Sequence, residues 1–139
     1  FKEDTIRRLL AAGIPRIQAT SFVHPKRVPQ MADAEALLSA LGCARLPELS
    51  ALALNLRGVE RAIAAGVTTV DLSIALNEQH AADNANSTVE AGIQAASAMI
   101  ARAKEAGLQV QLGLQTVWGY ADPDDTPREL IEAVVAEFA

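Results

Sequence analysis

Polar side chains follow four apolar segments of this 139-residue chain, and they are its clearest candidates for chemistry. They are Thr20 with Ser21, Asn55, Asn77 with Glu78, and Thr116 with Trp118 two residues later. Hydroxyl, amide and carboxylate groups can bind the oxygen atoms of a small acid. If the apolar segments are parallel strands, these groups lie at their carboxyl ends, where α/β folds place their functional sites.

Other polar residues have simpler interpretations. Glu78 to His80, together with Asp83, could suggest a metal cluster, but their spacing matches no established ligand pattern, so we expect a polar loop. We expect His24 to order its loop. Trp118 either packs at a pocket mouth or covers an edge of the core. Cys43 is the single cysteine, so it cannot form an internal disulfide; we expect it to be inert and the protein to be cytoplasmic.

Three glycines mark the junctions between the helices and strands that would position these residues. Gly13, Gly66 and Gly107 each follow a helical pattern and precede an apolar segment. Glycine ends helices because it adopts the left-handed conformation without strain. We therefore predict strands at residues 14–19, 67–73 and 108–114, and a fourth at residues 49–54.

Helices are predicted between these strands. One runs from the start of the chain, two more cover residues 32–41 and 57–65, and a capping box from Ser87 to Glu90 begins a long fourth. The last helix begins at Thr126 and Pro127. We expect it to bury five apolar residues: Leu130, Ile131, Val134, Val135 and Phe138. The chain begins without Met and enters a helix at once, so we expect it to begin inside a larger fold.

Alternating helices and strands predict a parallel sheet with right-handed crossovers in a single domain over residues 1–139. Two architectures fit this pattern. One is an open four-stranded sheet, and the other is half of an eight-stranded barrel, which needs about 250 residues when complete.

The composition excludes several classes of protein. A net charge of −5 argues against a nucleic-acid surface and against docking on an anionic membrane. The sequence contains no apolar span of about 20 residues and no glycine-rich phosphate-binding motif.

One segment carries a family resemblance. Residues 19–33, ATSFVHPKRVPQMAD, closely resemble the loop after the second strand in hydroxymethylglutaryl-CoA lyases. Residues 54–60, Asn77 with Glu78, residues 84–87 and residues 113–119 resemble later segments of that family in the same order. The resemblance covers essentially the whole chain. It implies an α/β fold that is a partial (β/α)8 TIM barrel, with about four parallel strands (family strands 2–5) and flanking helices.

The resemblance also implies a chemistry. The family cleaves a 3-hydroxy-3-methylglutaryl-CoA-type acyl-CoA by a retro-aldol or retro-Claisen reaction, in which Mg²⁺ or Mn²⁺ polarises the substrate. Gln18 lies where the family has a glutamate near the metal, and is the catalytic candidate. The expected substrate-binding residues are Ser21, Asn55, Asn77, Glu78 and Thr116. Lys26 and Arg27 are either contacts for a CoA phosphate or a solvated surface.

Several family features have no counterpart in this sequence. They are the Arg-Asp pair of the first strand, the late His-x-His pair and the glycine-rich loop with its cysteine. Gln18 also cannot accept a proton as a carboxylate does. We therefore expect this chain alone to hold no cofactor and to have no turnover, and we expect Gln18→Glu to raise the rate of an active parent.

Two alternatives to a lyase fragment stay open. The chain could be a non-catalytic module that binds a small hydroxy acid or an acyl-CoA, or a remnant that only self-associates. Half a barrel leaves two edge strands, here residues 14–19 and 108–114, and would expose the apolar side chains of the barrel interior. We therefore predict a homodimer or a higher oligomer.

Overall fold

Strands and helices alternate along the chain in a computed structural model that describes residues 1–43, 46 and 48–139. In chain order the elements are α1 (Lys2–Ala11), β1 (Ile17–Ser21), a 3₁₀ turn (Pro29–Met31), α2 (Ala34–Leu41), β2 (Leu49–Leu52), α3 (Leu56–Ala65), β3 (Thr69–Ala75), α4 (Glu78–Ala85), α5 (Val89–Glu105), β4 (Gln109–Gln115) and α6 (Arg128–Phe138).

The four strands are parallel and form one sheet in the order β1-β2-β3-β4. The prediction of about four parallel strands with flanking helices is therefore confirmed. Because the spatial order follows the chain order, β1 and β4 lie at the two edges of this sheet, as predicted. None of the helices described combines the length and the apolar character that crossing a membrane requires.

The junction glycines behave as predicted, whereas the strand bounds differ. Gly66 and Gly107 end α3 and α5 with φ of 75° and 80°. The first strand begins at Ile17 rather than at residue 14, and Ile14 is 40% exposed. Pro15 explains the delay because it has no N–H to donate to a ladder, whereas the Ile17 N–H donates to Glu48 O at 2.8 Å.

Two compact units make up the chain. The first comprises Phe1–Leu72 and Met99–Gln111, and the second comprises Ser73–Ala98 and Leu112–Ala139. Fully buried side chains in the first unit include Leu38, Leu49, Val59 and Val70, and those in the second include Ile74 and Leu76. Each unit therefore has apolar side chains of its own to hold its polar residues in place.

The exposed face of β4 is polar, which corrects one expectation. Burial alternates along β4, and its exposed positions are Gln109, Gln111, Gly113 and Gln115. Its three apolar residues lie at the alternate, half-buried positions. The prediction that a half-barrel exposes apolar interior side chains is thus wrong for this strand, because its sequence carries the polar residues on that face.

Residues 78–85 form α4, where the sequence predicted a polar loop. The segment has no apolar stripe, which is why periodicity missed it. Its helix signal lies at the first residue instead, because the Asn77 side chain accepts a hydrogen bond from the His80 N–H at 3.1 Å. Asparagine is among the best N-cap residues, so this contact begins the helix.

The first turn of α5 is capped differently from the predicted capping box. Thr88 Oγ1, rather than the Ser87 hydroxyl, accepts from the Ala91 N–H at 3.1 Å. Glu90 does not reach back, because its carboxylate accepts from Gln94 one turn later. The Ser87 N–H that Glu90 was expected to bind donates instead to Ala81 O at 3.2 Å, and Glu78 Oε2 accepts from the Val89 N–H at 3.2 Å.

The last helix begins later and buries less than predicted. Pro127 is the residue before α6 and not its first residue. Of the five apolar residues expected in the core, Val134 is buried, Val135 is 50% exposed and the others are half-buried. Val134 lies at the centre of the buried stripe of α6. Val135 lies at its border, because neighbouring residues of a helix are rotated by about 100° about the helix axis.

Candidate functional site

The first strand contains a β-bulge that decides which side chains share a face. Gln18 pairs with Ser50 and Thr20 pairs with Ala51, so Ala19 is an extra residue. Successive side chains of a regular strand point to opposite faces, so Gln18 and Ser21 would lie on opposite sides of the sheet. The extra residue changes this alternation, and both side chains lie on the face that carries Ser50.

A buried carboxylate lies at the centre of this face. Asp71 of β3 is 6% exposed and Ser50 of β2 is 1% exposed. Asp71 Oδ2 accepts hydrogen bonds from Gln18 Nε2 and from Ser50 Oγ, both at 2.6 Å. A buried carboxylate is costly unless such donors satisfy it. These contacts connect three neighbouring strands through one oxygen atom.

Two buried polar atoms on this face keep unused hydrogen-bonding capacity. Asp71 Oδ1 and Ser21 Oγ are buried, and neither has a hydrogen-bond partner among residues 1–43, 46 and 48–139. Buried polar side-chain atoms are bonded in the large majority of cases, so each exception calls for an explanation. Ser21, Leu52 and Asp71 lie opposite one another across the three strands, which places both atoms on the same side of the sheet.

The sequence identified Gln18 and Ser21 but missed Ser50 and Asp71. A signal for Asp71 was present, because it lies inside the apolar run VDLSIAL and carboxylates are seldom buried without a reason. The register that joins these residues cannot be read from the sequence. Whether Gln18 is catalytic and Ser21 binds substrate stays a prediction.

The residues on this face do not fit the divalent cation that the resemblance implies. Within residues 1–43, 46 and 48–139, no three His, Cys, Asp or Glu side chains come together as a metal site would require. The oxygen atoms that are brought together come from one carboxylate, hydroxyls and an amide, and Asp71 Oδ2 is already bonded to two donors. We therefore assign no step of a reaction here to a metal ion.

A pocket of about 290 Å³ lies beside the loop after β1. Its walls are Phe22, Val23, His24, Pro25, Asn55, Arg57, Gly58 and Arg61. The His24 ring accepts a hydrogen bond from the Lys26 N–H at 3.2 Å, in keeping with the role in ordering the loop predicted from the sequence. The pocket walls thus carry two guanidinium groups and an imidazole.

Arg61 fixes one wall of this pocket. It donates to both carboxylate oxygens of Glu35, at 2.6 and 3.1 Å, and to the carbonyl oxygen of Val23 at 3.2 Å. Its guanidinium also lies 5.1 Å from the centre of the Phe22 ring, in a cation–π contact. The hydrogen bonds from Arg61 hold the pKa of Glu35 below its ordinary value. Because Arg61 is committed to these contacts, Arg57 is the better placed of the two to meet a ligand.

Three of the predicted substrate-binding residues have structural contacts at helix starts. Asn55 Oδ1 accepts from the Gly58 N–H at 2.9 Å and caps α3. Asn77 caps α4 and Glu78 bonds to the first turn of α5. These contacts explain the residue types without a ligand. They do not test whether the same side chains also bind substrate, so that stays a prediction.

The loop after β4 is closed by one carboxylate. Asp125 accepts hydrogen bonds from the backbone N–H groups of Tyr120, Ala121 and Asp122, at 2.8, 3.0 and 3.3 Å. Burial opposes ionisation of Asp125, but these three donors outweigh it and hold the pKa of the carboxyl below its ordinary value. Thr116, the predicted site residue here, has φ of 61° and its carbonyl accepts from the Thr126 hydroxyl at 2.7 Å.

An aromatic pair completes the second unit. The ring centres of His80 and Tyr120 are 4.9 Å apart, and the Tyr120 hydroxyl donates to Asp83 at 3.3 Å. Burial, and then the charge of Asp83, raise the pKa of the Tyr120 hydroxyl. His80 and Asp83, which the sequence analysis considered together and assigned to a polar loop, thus both contact Tyr120, which the sequence did not indicate.

Two remaining candidates differ in their exposure. Trp118 is 88% exposed, so it covers no core edge in this structure. Cys43 is buried, and its thiol donates to the carbonyl oxygen of Ala65 at 3.2 Å. The inertness expected of Cys43 stays a prediction.

Comparison with known proteins identifies relatives with one activity. The chain is 36% identical over 113 residues to a mitochondrial hydroxymethylglutaryl-CoA lyase of Arabidopsis thaliana, covering 79% of this chain and 24% of that protein. It is 38% identical over 108 residues to the mitochondrial enzyme of Mus musculus, covering 76% and 33%. A cytoplasmic 3-hydroxy-3-methylglutaryl-CoA lyase of Danio rerio is 35% identical, with 79% and 33% covered. No protein-family model matches the chain.

Solved structures agree with these relatives. The hydroxymethylglutaryl-CoA lyase of Bacillus subtilis superposes with a TM-score of 0.87 and 27% identity, over 99% of this chain and 47% of that one. The enzyme of Brucella melitensis gives a TM-score of 0.82 and 31% identity, over 94% and 46%. The chain thus spans between a quarter and a half of the length of the proteins it matches.

Proposed function

Since the chain is a partial-length member of the hydroxymethylglutaryl-CoA lyase family, we propose that it is part of a lyase-like barrel that binds an acyl-CoA. The complete barrel would cleave a carbon–carbon bond in a 3-hydroxy-3-methylglutaryl-CoA-type substrate. Residues 1–139 would form one partial barrel domain within it. The observation that carries this proposal is the similarity itself, which extends over most of the chain.

The arrangement of polar residues supports the substrate side of this function. Gln18, Ser21, Ser50 and Asp71 lie on one face of the parallel sheet. The pocket with Arg57 lies in the loops that follow β1 and β2, at the carboxyl ends of these strands, where barrel enzymes bind their ligands. The other predicted binding residues, Asn55, Asn77, Glu78 and Thr116, occupy loop or cap positions after strands.

Catalysis would depend on residues that this sequence does not contain. The Mg²⁺ or Mn²⁺ that the family implies would take its ligands from outside residues 1–139. We therefore expect the purified chain to release no acetoacetate from 3-hydroxy-3-methylglutaryl-CoA when either ion is supplied. Turnover that a chelator abolishes would contradict this expectation.

The pocket beside the loop after β1 is our candidate for the phosphate end of CoA. Arg57 and His24 line it, and Lys26 lies in the same loop. Titration calorimetry with CoA should show binding that Arg57→Ala weakens about tenfold, since a guanidinium–phosphate contact is a charge-assisted hydrogen bond. Arg128→Ala is the matched control, because Arg128 is an exposed cation that pairs with Glu132. Equal affinity of wild type and Arg57→Ala for CoA would show that CoA does not bind in this pocket.

Self-association is a second proposal, supported by the two edge strands of the sheet. A second copy could pair with β4 and satisfy its outward backbone groups. A chain that associates but binds neither CoA nor a hydroxy acid would leave only this second proposal.

We also propose a cytosolic location, which the Danio rerio relative has and the Arabidopsis thaliana and Mus musculus relatives do not.

A further inference from the structure

The loop after β4 presents the one tryptophan of the sequence to solvent. Trp118 is 88% exposed, and Tyr120, two residues later, is 45% exposed. Single exposed apolar side chains are common on protein surfaces, but tryptophan and tyrosine are among the residue types most enriched where proteins bind partners. Residues 116–126, which we call the aromatic loop, thus have the residue types of a binding surface.

The backbone of the aromatic loop is held in one conformation. Gly119 has φ of 98° and pairs with Pro123 in an antiparallel bridge. A Cβ at Gly119 would collide with the carbonyl oxygen of Asp122. Asp125 accepts three backbone hydrogen bonds across the same turn. Because the backbone that carries Trp118 is ordered before a partner arrives, binding costs less conformational entropy.

The charge of the surrounding unit indicates the kind of partner. The second compact unit, Ser73–Ala98 with Leu112–Ala139, has nine acidic residues and one basic residue, Arg128. Arg128 already pairs with Glu132. The first unit has eleven basic and eight acidic residues, so the negative net charge of the chain comes from the second unit. A strongly negative surface attracts and steers cationic partners.

Two carboxylates of the aromatic loop are available to such a partner. Asp122 and Asp124 are exposed, and neither side chain has a hydrogen bond or an ion pair within the described part of the chain. Asp125, by contrast, is occupied by the backbone of the loop. Trp118 and Asp124 flank the bridge of the loop, one on each of its two strands. An indole ring and a carboxylate therefore come from neighbouring positions of one surface.

A guanidinium group matches both of these side chains. Its planar face stacks on an indole ring, and its fork of N–H donors fits a carboxylate. We propose that the aromatic loop docks a basic segment of a partner protein, with an arginine side chain stacked on Trp118 and paired with Asp124. A lysine would supply the charge without the stacked contact and without the second hydrogen bond. This interaction goes beyond the acyl-CoA function, which gives Trp118 no role.

The fluorescence of Trp118 tests this proposal directly, because the chain has no other tryptophan. The probes are three peptides of equal length in which serine alternates with arginine, lysine or glutamate. At low ionic strength we expect the arginine peptide to shield Trp118 from quenching by acrylamide. It should bind about tenfold more tightly than the lysine peptide, and the glutamate peptide should not bind. Equal affinity for the arginine and lysine peptides, or no binding of the arginine peptide, overturns the proposal.

Variants locate the contact. Trp118→Ala and Asp124→Asn should each weaken the binding of a fluorescein-labelled arginine peptide about tenfold, as measured by anisotropy. Both positions are exposed, and the φ of 66° at Asp124 suits asparagine. Glu137→Gln is the matched control, because it removes the same charge from another exposed position of the second unit, and it should change the affinity by less than about twofold. Equal losses in Asp124→Asn and Glu137→Gln would show diffuse attraction and contradict docking at the aromatic loop.

A second copy of the chain is the alternative occupant of the aromatic loop. If a second copy covered Trp118, acrylamide quenching of the chain alone would increase on dilution, and the proposal of a basic partner would fail. We expect the quenching of the chain alone to be the same at every concentration.

Discussion

The Gln18 amide acts as a hydrogen-bond donor to a neighbouring carboxylate, and this changes what a substitution there would do. From the family resemblance alone, Gln18→Glu restores a carboxylate and should raise the rate of an active parent. In the structure Gln18 Nε2 lies 2.6 Å from Asp71 Oδ2. A glutamate would therefore put two carboxylates in contact, and one of them would keep its proton.

We predict that Gln18→Glu destabilises the chain as the pH rises. The folded-state pKa of one carboxyl would be raised above its unfolded value, so the pair is tolerated at low pH and stability is lost as the pH rises through the raised pKa. Thermal melts should match wild type near pH 4 and fall a few degrees below it near pH 8. The double variant Gln18→Glu/Asp71→Asn exchanges donor and acceptor and should recover the loss. A difference in melting temperature between Gln18→Glu and wild type that stays the same from pH 4 to pH 8 would show that Asp71 is not its neighbour.

At the residue scale, the sequence singles out candidate residues by their place after an apolar run or by a departure from a family pattern, and their roles in a site stay predictions. Ser21 was found because it follows an apolar run, and Gln18 because it departs from a family pattern. Asp71 was not found, since its importance depends on partners from two other strands. Asn77 and Glu78 were identified as polar residues after a strand, but their contacts with backbone N–H groups appear only in three dimensions.

At the scale of elements, α3 begins where a side chain has little room. A Cβ at Gly58 would lie 3.2 Å from Ala53 Cβ and 3.3 Å from Phe22 O, which belongs to the backbone and cannot easily move. A Cβ at Gly92 in α5 would meet only Ile74 Cγ2 at 3.8 Å, an ordinary contact. The two helical glycines thus differ in their surroundings and not in their secondary structure.

We predict opposite effects of Gly→Ala at these positions. Alanine favours a helix over glycine by about 1 kcal/mol, so Gly92→Ala should raise the free energy of unfolding by up to about that amount. Gly58→Ala has the same intrinsic gain but must displace Ala53, just after β2, or the backbone at Phe22, just after β1, so we expect a net loss of about 1 kcal/mol or more. Urea denaturation measures both, and a stabilised Gly58→Ala would mean that Ala53 can move aside at little cost.

Elements were predicted best where one residue type fixes the backbone. Gly66 and Gly107 marked the ends of α3 and α5, and the strands that follow began within a few residues of the expected positions. The bounds failed where side-chain contacts decide them: Asn77 begins α4 without an apolar stripe, and Thr88 rather than Ser87 caps α5. The periodicity of apolar residues reveals the buried face of a helix, but it gives no information about the residue that caps the helix.

For the whole molecule, the open edge at β4 is the feature with a measurable consequence. The Gln109 N–H donates to Thr68 O, toward the body of the sheet. Because N–H groups alternate in direction along a strand, the Val110 N–H points to the open edge. Backbone groups on an exposed edge are a template for a second strand. The polar face of β4 means that this pairing, rather than burial of apolar side chains, would drive association.

We therefore predict a dimer in light scattering at micromolar concentration, with a mass that falls toward 14.7 kDa on dilution. Val110→Pro should shift the equilibrium toward the monomer, since proline removes an outward donor and is tolerated on edge strands. Proline would not be tolerated in the same way at Val70, because Val70 lies in the central strand β3, which pairs on both sides. A mass of one chain at every concentration would show that β4 does not pair with a second copy.

The bulge in β1 makes the polar face sensitive to the length of the chain. Substitution at Ala19 alters a side chain but keeps the count of residues between Gln18 and Ser21. Deletion of that one residue would restore strict alternation, and one of the two side chains would then point to the opposite side of the sheet. A one-residue gap in an alignment here therefore separates proteins whose sequences look alike but whose sheets present different groups. Insertions and deletions, more than point changes, are the means by which such a face can be gained or lost.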